Sequence, residues 1–256
     1  MKLVANFCAG VCLTALISIG ASSVQAQQPP DPIEIVACNF IDGSDGDDLQ
    51  GPMNDLNAWM DERNLNNFNI STLVPIFTSE AFTYDVLFFN RWVDGSAMGQ
   101  NLAAFSDPDS GDALEGFSSV VNCSSTTAFA GILLQPPGES RNGGPMQFFN
   151  CTVKENRTVG EGIAAINAWA QAGAESDTDF GTGHAVLLPI AGENPSATYN
   201  FKWLVLFESF QAYGDSLDAL FAPGGPALGD IIDPVMDCDS ARVYNQILNR
   251  QAQEDI

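Results

Sequence analysis

The alternation of apolar and polar positions predicts strands and helices that follow one another in two successive rounds. Residues 33–40 form a short apolar run typical of a buried strand, whereas 47–64 carry apolar side chains at helical spacing. The first round continues with strands at 69–78, 84–93 and 126–134 and helices at 96–105 and 113–121. The second round has strands at 146–153, 184–191, 201–209 and 242–248 and helices at 160–172, 212–221 and 228–235. Both rounds therefore have the order strand, helix, strand, strand, helix, strand.

Short strings of similar residues recur in the same order in both rounds, which indicates an internal duplication. Their offsets drift only from 110, between Leu56 and Ile166, to 118, between Val86 and Leu204. Further matched strings begin at Cys38 and Cys151, Leu73 and Leu187, Val121 and Met236, and Ile132 and Ile247. We predict a first repeat at 27–136, a Pro/Gly-rich linker at 137–145 that neither helix nor strand would tolerate, and a second repeat at 146–256.

The order of elements predicts an α+β fold made of two tandem ferredoxin-like repeats. Each βαββαβ unit forms a four-stranded antiparallel sheet with both helices on one face. The third strand of the first repeat is apolar on both faces, with Val86 and Phe88 on one side and Leu87 and Phe89 on the other. A strand that is apolar on both faces is buried on both. Because helices cover only one face, we expect the sheets of the two repeats to pack face to face.

The cysteines predict disulfides. Of the six, two lie within the first twelve residues, and Cys38, Cys123, Cys151 and Cys238 remain, which allows three pairings. In the ferredoxin-like strand order, the first and fourth strands are antiparallel neighbours, so Cys38 meets Cys123 and Cys151 meets Cys238. We therefore predict one disulfide within each repeat.

The N-terminus predicts export. Lys2 precedes an apolar run from residue 3 to 19, and small residues and Val24-Gln25-Ala26 follow. This pattern is typical of a signal peptide, here 1–26, that is cleaved on export to the periplasm or the extracellular medium. An uncleaved membrane anchor is the alternative, although the run is short for a bilayer. No other stretch is long and apolar enough to span a membrane after signal cleavage.

The charge of the chain limits its partners. It has 32 Asp and Glu residues against 9 Lys and Arg, a formal net charge of −23. Such a surface repels phosphate backbones and anionic lipids, which argues against nucleic-acid and membrane-surface binding. Because the acids are spread along the chain, we interpret them as a solubilising surface rather than as an acidic tail.

The tandem pattern resembles the dimeric α+β-barrel superfamily. The resemblance is carried by the repeated βαββαβ order, by Trp59 and Trp169 in the first helices, and by the apolar third strands. It is closest in kind to stress-responsive and antibiotic-biosynthesis-monooxygenase-like proteins, and it implies two sheets fused in one chain as a barrel. The sequence also resembles exported proteins of aquatic bacteria that have no assigned mechanism.

Few residues are candidates for chemistry or ligand binding. His184 is the only histidine; the resemblance implies a haem ligand or a proton-transfer group, whereas a structural role at a strand start is the favoured interpretation. Asp85 and Arg91 lie six apart on the third strand and thus on one face, and the string match places Trp203 and Ser209 at the corresponding positions. We predict a ligand pocket at Asp85, Arg91, Trp203 and His184 if that face lines the barrel. The alternative is that the charged pair lies at strand ends in water.

Clusters of acidic residues suggest calcium only weakly. Asp residues at 42, 45, 47 and 48 and at 107, 109 and 112 precede helices, but neither cluster matches a calcium-binding loop with its closing Glu. Asp45 and Asp47 are better explained as helix caps. We predict no bound metal and no cofactor.

Three functional hypotheses remain open at this point. The leading one is an exported, non-catalytic module that holds a small apolar ligand between its sheets, or that self-associates as an assembly or surface component. The alternative is a barrel-type enzyme, either oxygenase-like without a cofactor or haem-dependent through His184. The third is calcium-dependent assembly. No known catalytic sequence motif decides among them.

Overall fold

A computed structural model describes residues 29–79, 82–137, 143–175, 182–193, 196–222 and 228–253. The predicted signal peptide, 1–26, lies outside the described residues. Within them, no helix is long and apolar enough to cross a membrane.

The first half of the described chain contains four strands and three α-helices. Their bounds are β1 Asp31–Phe40, α1 Gln50–Glu62, β2 Phe68–Phe77, β3 Val86–Trp92, α2 Gly95–Phe105, α3 Gly111–Ser118 and β4 Val121–Gln135. Local sequence explains where helices begin: the side chain of Asp94 accepts a hydrogen bond from the backbone N–H of Ala97 at 2.7 Å and caps α2. The predicted elements of this half are all present, but β4 begins five residues earlier than predicted.

The described part of the second half contains five strands and three α-helices. Their bounds are β5 Gly143–Val153, α4 Val159–Glu175, β6 Thr182–Ala191, β7 Phe201–Phe207, α5 Phe210–Phe221, α6 Leu228–Ile232, β8 Met236–Cys238 and β9 Arg242–Arg250. The Ser209 side chain caps α5 by accepting from the N–H of Ala212 at 3.1 Å. The short strand β8 was not predicted as a separate element.

Eight strands close into one antiparallel barrel. The order β7-β6-β4-β1-β3-β2-β9-β5 is completed by pairing of β5 with β7, and β8 pairs with the end of β5. The first half contributes β4-β1-β3-β2 and the second β9-β5-β7-β6, the same order of corresponding strands. The two halves were expected to pack as separate sheets, face to face. Instead, β2 pairs with β9 and β4 pairs with β6 through backbone hydrogen bonds along the sheet edges, so the two sheets are joined into one barrel. Closure leaves no unpaired edge on these eight strands.

The barrel creates three apolar cores. Phe129 and Leu204 are among the side chains that fill its interior. Outside, α1–α3 pack on the strands of the first half around Met60, and α4–α6 pack on those of the second half around Ile166. The sheet is therefore buried on both faces, as the apolar third strands predicted.

Both predicted disulfides are confirmed. Cys38 pairs with Cys123 across β1 and β4, and Cys151 pairs with Cys238 across β5 and β8. Each links neighbouring antiparallel strands within one half.

Part of the predicted linker is strand. Residues 143–145 lie in β5 and pair with β9, although the Gly-Gly-Pro sequence had indicated a linker. Gly143 and Gly144 have φ of +126° and +107°, a region that glycine enters without strain. A Cβ on Gly143 would lie 2.4 Å from the carbonyl oxygen of Gln246, so glycine permits the close strand approach.

The strand register corrects the predicted match between the third strands. Cys38 pairs with Val86 in the first half and Cys151 pairs with Phe201 in the second, so Val86 corresponds to Phe201 rather than to Leu204. The true offset is 115 rather than 118. Because successive side chains point to opposite faces, a shift of three residues in the match assigns every side chain of the strand to the opposite face of the sheet. Trp203 therefore corresponds to Phe88 and lies on the outer face, not on the face of Arg91.

Candidate functional site

A cavity of about 310 Å³ lies between the sheet and the helices of the first half. We call it the first-half cavity. Its walls are mostly apolar and aromatic and come from β1–β4 and α1–α3: Glu34, Val36, Met53, Leu56, Phe68, Ile70, Phe88, Asn90, Trp92, Leu102, Phe105, Leu114, Phe117, Val121 and Cys123. Leu102 and Leu114 are partly exposed, which marks the open side of the cavity. An apolar cavity of this size with a few polar groups is typical of a small-molecule site.

Three polar side chains lie together in this cavity. Asn90 Nδ2 donates to Glu34 Oε2 at 2.9 Å, across neighbouring positions of β1 and β3. The other amide atom, Asn90 Oδ1, and the indole Nε1 of Trp92 are buried and have no partner among the described residues. Buried polar atoms are nearly always satisfied, and these two unsatisfied atoms belong to residues that line the same cavity.

Strand alternation places these groups. On β3 the side chains of Val86, Phe88, Asn90 and Trp92 share the outer face, since successive side chains point to opposite sides. Trp92 is only 1% exposed and stacks on Phe68 with ring centroids 4.7 Å apart, which fixes its indole. A carboxylate, an amide and a fixed indole N–H in an apolar cavity can remove a proton from carbon and stabilise the resulting anion.

The second half has a corresponding cavity of about 330 Å³, which is lined by Asp233 and two tryptophans but lacks the combination of Glu34, Asn90 and Trp92. By strand register, Gln147 replaces Glu34, Val205 replaces Asn90 and Phe207 replaces Trp92. Each of these three residues lines the second-half cavity. The carboxylate base and its two neighbours are therefore particular to the first half.

The predicted pair Asp85 and Arg91 does not form a site. Asp85 lies just before β3 and accepts a hydrogen bond from the backbone N–H of Phe40 at 2.9 Å, beside α1 on the outer side. Arg91 lies at one mouth of the barrel, where its Nε is 2.7 Å from Oδ2 of Asp31. The period of two fails for Asp85 because the regular strand begins only at Val86.

His184 and Trp203 do come together, on the outer face of the second half. Trp203 Nε1 donates to His184 Nδ1 at 3.3 Å, and His184 Nε2 lies 3.0 Å from Thr182 Oγ1. The imidazole also meets the ring of Trp169 edge-on at 5.3 Å. His184 is 1% exposed, and burial lowers its pKa to about 4, so it is neutral at physiological pH.

A haem held by His184 does not fit this environment. Both ring nitrogens already have hydrogen-bonding neighbours, and His184 lines neither the second-half cavity nor either mouth of the barrel. An iron ligand requires a free nitrogen that faces an open space. We derive no chemistry through haem at this residue.

His184 predicts a measurable pH dependence of stability. Its folded pKa, about 4, lies below the ordinary 6.5, so the unfolded chain binds the proton more readily between these values. Stability should be lost as pH falls from 6.5 to 4, by about 3 kcal/mol. Urea unfolding of wild type and His184→Gln across this range isolates the histidine, since all carboxylates are common to both. An equal loss in the variant would contradict the prediction.

The acidic loops make local hydrogen bonds: Asp107 caps a short helix as its N-cap residue, whereas Gly46 rather than Asp45 or Asp47 is the N-cap residue at the first cluster. Asp45 Oδ1 accepts from the N–H of Asp47 at 2.9 Å, and Asp107 Oδ1 accepts from the N–H of Asp109 at 3.1 Å. Among the described residues, no three His, Cys, Asp or Glu side chains gather as a metal site. Nothing in this part of the chain favours calcium-dependent assembly.

The sequence-based prediction missed the residues with the strongest chemistry. Neither Glu34 nor Asn90 is among the candidate residues that the sequence pattern indicated. A usable signal existed, because Glu34 is a single carboxylate within an apolar strand run. Lys202 is likewise the one charged residue in the strand Phe201–Phe207, and the sequence pattern did not indicate it as a site residue.

Comparison with solved structures defines the fold. A protein assigned as a chlorite dismutase superposes with a TM-score of 0.52 and 8% identity, over 85% of this chain and 95% of that chain. A protein assigned as a monooxygenase from Lactobacillus acidophilus NCFM gives 0.52 and 10%, over 86% and 94%. An anthrone oxidase-like protein gives 0.50 and 13%, over 88% and 95%. The chain has the dimeric α+β-barrel fold.

Sequence comparison gives no closer relative. No protein-family model and no curated protein matches the chain, so the resemblance to exported proteins of aquatic bacteria is unsupported. The leading prediction of a non-catalytic module is wrong, because the solved structures with this fold belong to proteins named for enzymatic activities.

Proposed function

We propose that this protein is a cofactor-independent, oxygenase-like barrel enzyme that oxidises an enolisable aromatic ketone with O₂ in the first-half cavity. The observation that carries the proposal is the Glu34–Asn90 pair beside the unpartnered indole N–H of Trp92. The anthrone oxidase-like neighbour supports this substrate class, since an anthrone is an enolisable aromatic ketone. The aromatic walls of the cavity suit such a ring system.

Each polar group has one task in the proposed reaction. The Glu34 carboxylate removes a proton from the methylene carbon conjugated with the ketone, and Asn90 orients that carboxylate. Trp92 Nε1–H donates to the enolate oxygen as negative charge develops there. The enolate then supplies electrons to O₂, and the carbon forms a hydroperoxide that takes up the proton.

The atoms and electrons of this reaction balance without a further reagent. Loss of water from the hydroperoxide leaves a carbonyl, so a CH₂ group and O₂ give C=O and H₂O. The methylene carbon loses four electrons, and O₂ gains the same four. The apolar cavity excludes bulk water from the anion, which strengthens the contact with the indole N–H.

Oxygen uptake with anthrone as the probe tests the proposal. The protein is first dialysed against EDTA, and the rate above spontaneous oxidation is measured together with anthraquinone formation. We expect saturable turnover by the metal-free protein. An uptake rate equal to that of buffer would end the proposal.

Trp92→Phe should lower kcat about 10²-fold, the typical cost of losing one donor to a developing oxyanion. The variant copies Phe207 at the corresponding position of the second half, so the fold can accommodate a phenyl ring there. Trp169→Phe makes the same chemical change in the second-half cavity and should leave kcat unchanged. Equal losses in both variants would indicate a structural effect and contradict the role of Trp92.

The two halves are also proposed to be tandem ferredoxin-like copies, 27–136 and 146–256. Support comes from the common strand order and from the matched disulfides. Export after cleavage of residues 1–26 is proposed on the same disulfides, which persist in oxidising compartments. The N-terminal sequence of protein recovered from outside the cytoplasm tests the cleavage site.

A further inference from the structure

The barrel interior opens at a second mouth that the proposed reaction does not use. This mouth, here the lysine mouth, encloses about 250 Å³. Its lining includes Tyr84, Phe129, Phe148, Asn150, Tyr199, Lys202, Arg242 and Tyr244. It lies inside the barrel, whereas the first-half cavity lies outside it under the helices, so the sheet separates the two sites.

Lys202 is a half-buried cation with donors that make no hydrogen bond within the described residues. Its Nζ donates to Asn150 Oδ1 at 2.9 Å, the one hydrogen bond that the ammonium makes within the described residues. The same atom lies 4.0 Å from the ring centroid of Tyr199 and 5.7 Å from that of Phe129. An ammonium has three donors, so two remain for a ligand. Burial lowers the pKa of Lys202 to about 8, which leaves it mostly charged at pH 7.

The other charges at this mouth are already paired. Arg242, 6% exposed, donates to both carboxylate oxygens of Asp239, at 2.8 and 3.1 Å, and to the carbonyl of Phe148. Glu193 accepts from the hydroxyl of Tyr199. Lys202 is therefore the cation that an incoming anion can reach, and neutralising a buried charge favours binding.

The two halves contribute different surfaces to the lysine mouth. By register, Leu87 of the first half corresponds to Lys202, and Thr127 corresponds to Arg242. Phe148 and Tyr244 meet edge-to-face at 5.5 Å and form an aromatic wall. The first half thus lines the mouth with uncharged side chains, whereas the second half contributes its aromatic wall and the charged residues Lys202, Arg242 and Glu193, an arrangement that suits a ring with charge at one end.

We propose that the lysine mouth binds a small aromatic monoanion, with its ring against Phe129, Phe148 and Tyr244 and its anionic oxygen on the Nζ of Lys202. The volume suits a single substituted ring rather than a larger ring system. This site is independent of the proposed oxidation.

Calorimetry with benzoate as the probe tests the site, with benzyl alcohol as the uncharged comparison. Wild type should bind benzoate at pH 7 at least tenfold more tightly than benzyl alcohol, because only the carboxylate gains a charge-assisted hydrogen bond. The affinity for benzoate should fall as pH rises through 8, because Lys202 then loses its proton and its charge. The titratable and charged groups that face Lys202 are Glu193, Tyr199, Arg242 and Asp239.

Two variants localise the site. Lys202→Leu copies the first-half residue Leu87 and should weaken benzoate at least tenfold while leaving benzyl alcohol unchanged. Arg91→Leu copies Leu206 at the opposite mouth and should leave benzoate affinity unchanged. A thermal melt confirms that each variant is folded. The inference is overturned if wild type does not bind benzoate, if benzyl alcohol binds as well, or if Lys202→Leu binds benzoate like wild type.

Discussion

Glu34→Gln is expected to lower kcat for anthrone oxidation by about 10²- to 10⁴-fold, the usual contribution of a positioned general base. The amide oxygen can still accept the hydrogen bond from Asn90 Nδ2, so the local packing remains. An amide cannot take the proton from carbon, and enolate formation therefore stops. Initial oxygen uptake at saturating anthrone measures the loss, and Glu34→Asp should recover part of the rate.

The second half provides the matched control for this experiment. Gln147 occupies the position that corresponds to Glu34, so Gln147→Glu places a glutamate at the same position of the other cavity. That variant should leave kcat unchanged, because Val205 and Phe207 replace the amide and the indole there. A kcat for Glu34→Gln within threefold of wild type would contradict the assignment of the base. The free energies of unfolding in urea of Glu34→Gln and Gln147→Glu should agree within about 1 kcal/mol.

Removal of the first disulfide should give the largest change in stability. The Cys38–Cys123 bond closes a loop with a sequence separation of 85 residues. The chain-entropy relation assigns such a loop about 4–5 kcal/mol, since the cross-link restricts the unfolded chain. We expect Cys38→Ala with Cys123→Ala to lower the free energy of unfolding in urea by that amount. Alanine is chosen because Cys38 is fully buried and a serine hydroxyl would require a partner.

The second disulfide is the internal comparison. Cys151–Cys238 has a separation of 87 residues, so its removal should cost nearly the same. Similar losses would support the entropic explanation, which depends on loop length rather than on local contacts. A loss below about 1 kcal/mol for either pair would contradict the prediction, since it would mean that the cross-link restricts the unfolded chain very little.

The order of elements followed from the periodicity of the sequence. Apolar positions with a period of two or with helical spacing identified the seven main elements of each half, and the ends differed by a few residues. The prediction failed for 143–145, where Gly-Gly-Pro was interpreted as a linker. There β9 provides hydrogen-bonding partners for β5, and glycine tolerates the positive φ that the close approach requires.

String matching misplaced the third strand of the second half. Val86-Leu87-Phe88-Phe89 resembles Leu204-Val205-Leu206-Phe207 in apolar character, but the hydrogen-bond register matches Val86 with Phe201. Apolar residues on both faces make such strings interchangeable, so composition cannot fix the register. The error assigned Trp203 to the inner face of the sheet, although it lies on the outer face. It also gave no indication that Lys202 faces the barrel interior.

The sequence by itself determined the strand and helix order and the two disulfide pairs. These follow from local periodicity and from a strand order that brings the cysteines together. Only the tertiary structure decided that sheet edges join into a closed barrel, that Glu34, Asn90 and Trp92 share one cavity, and that Lys202 faces the interior. Those features depend on contacts between distant strands, whose register is set by packing on both faces of the sheet rather than by any local pattern.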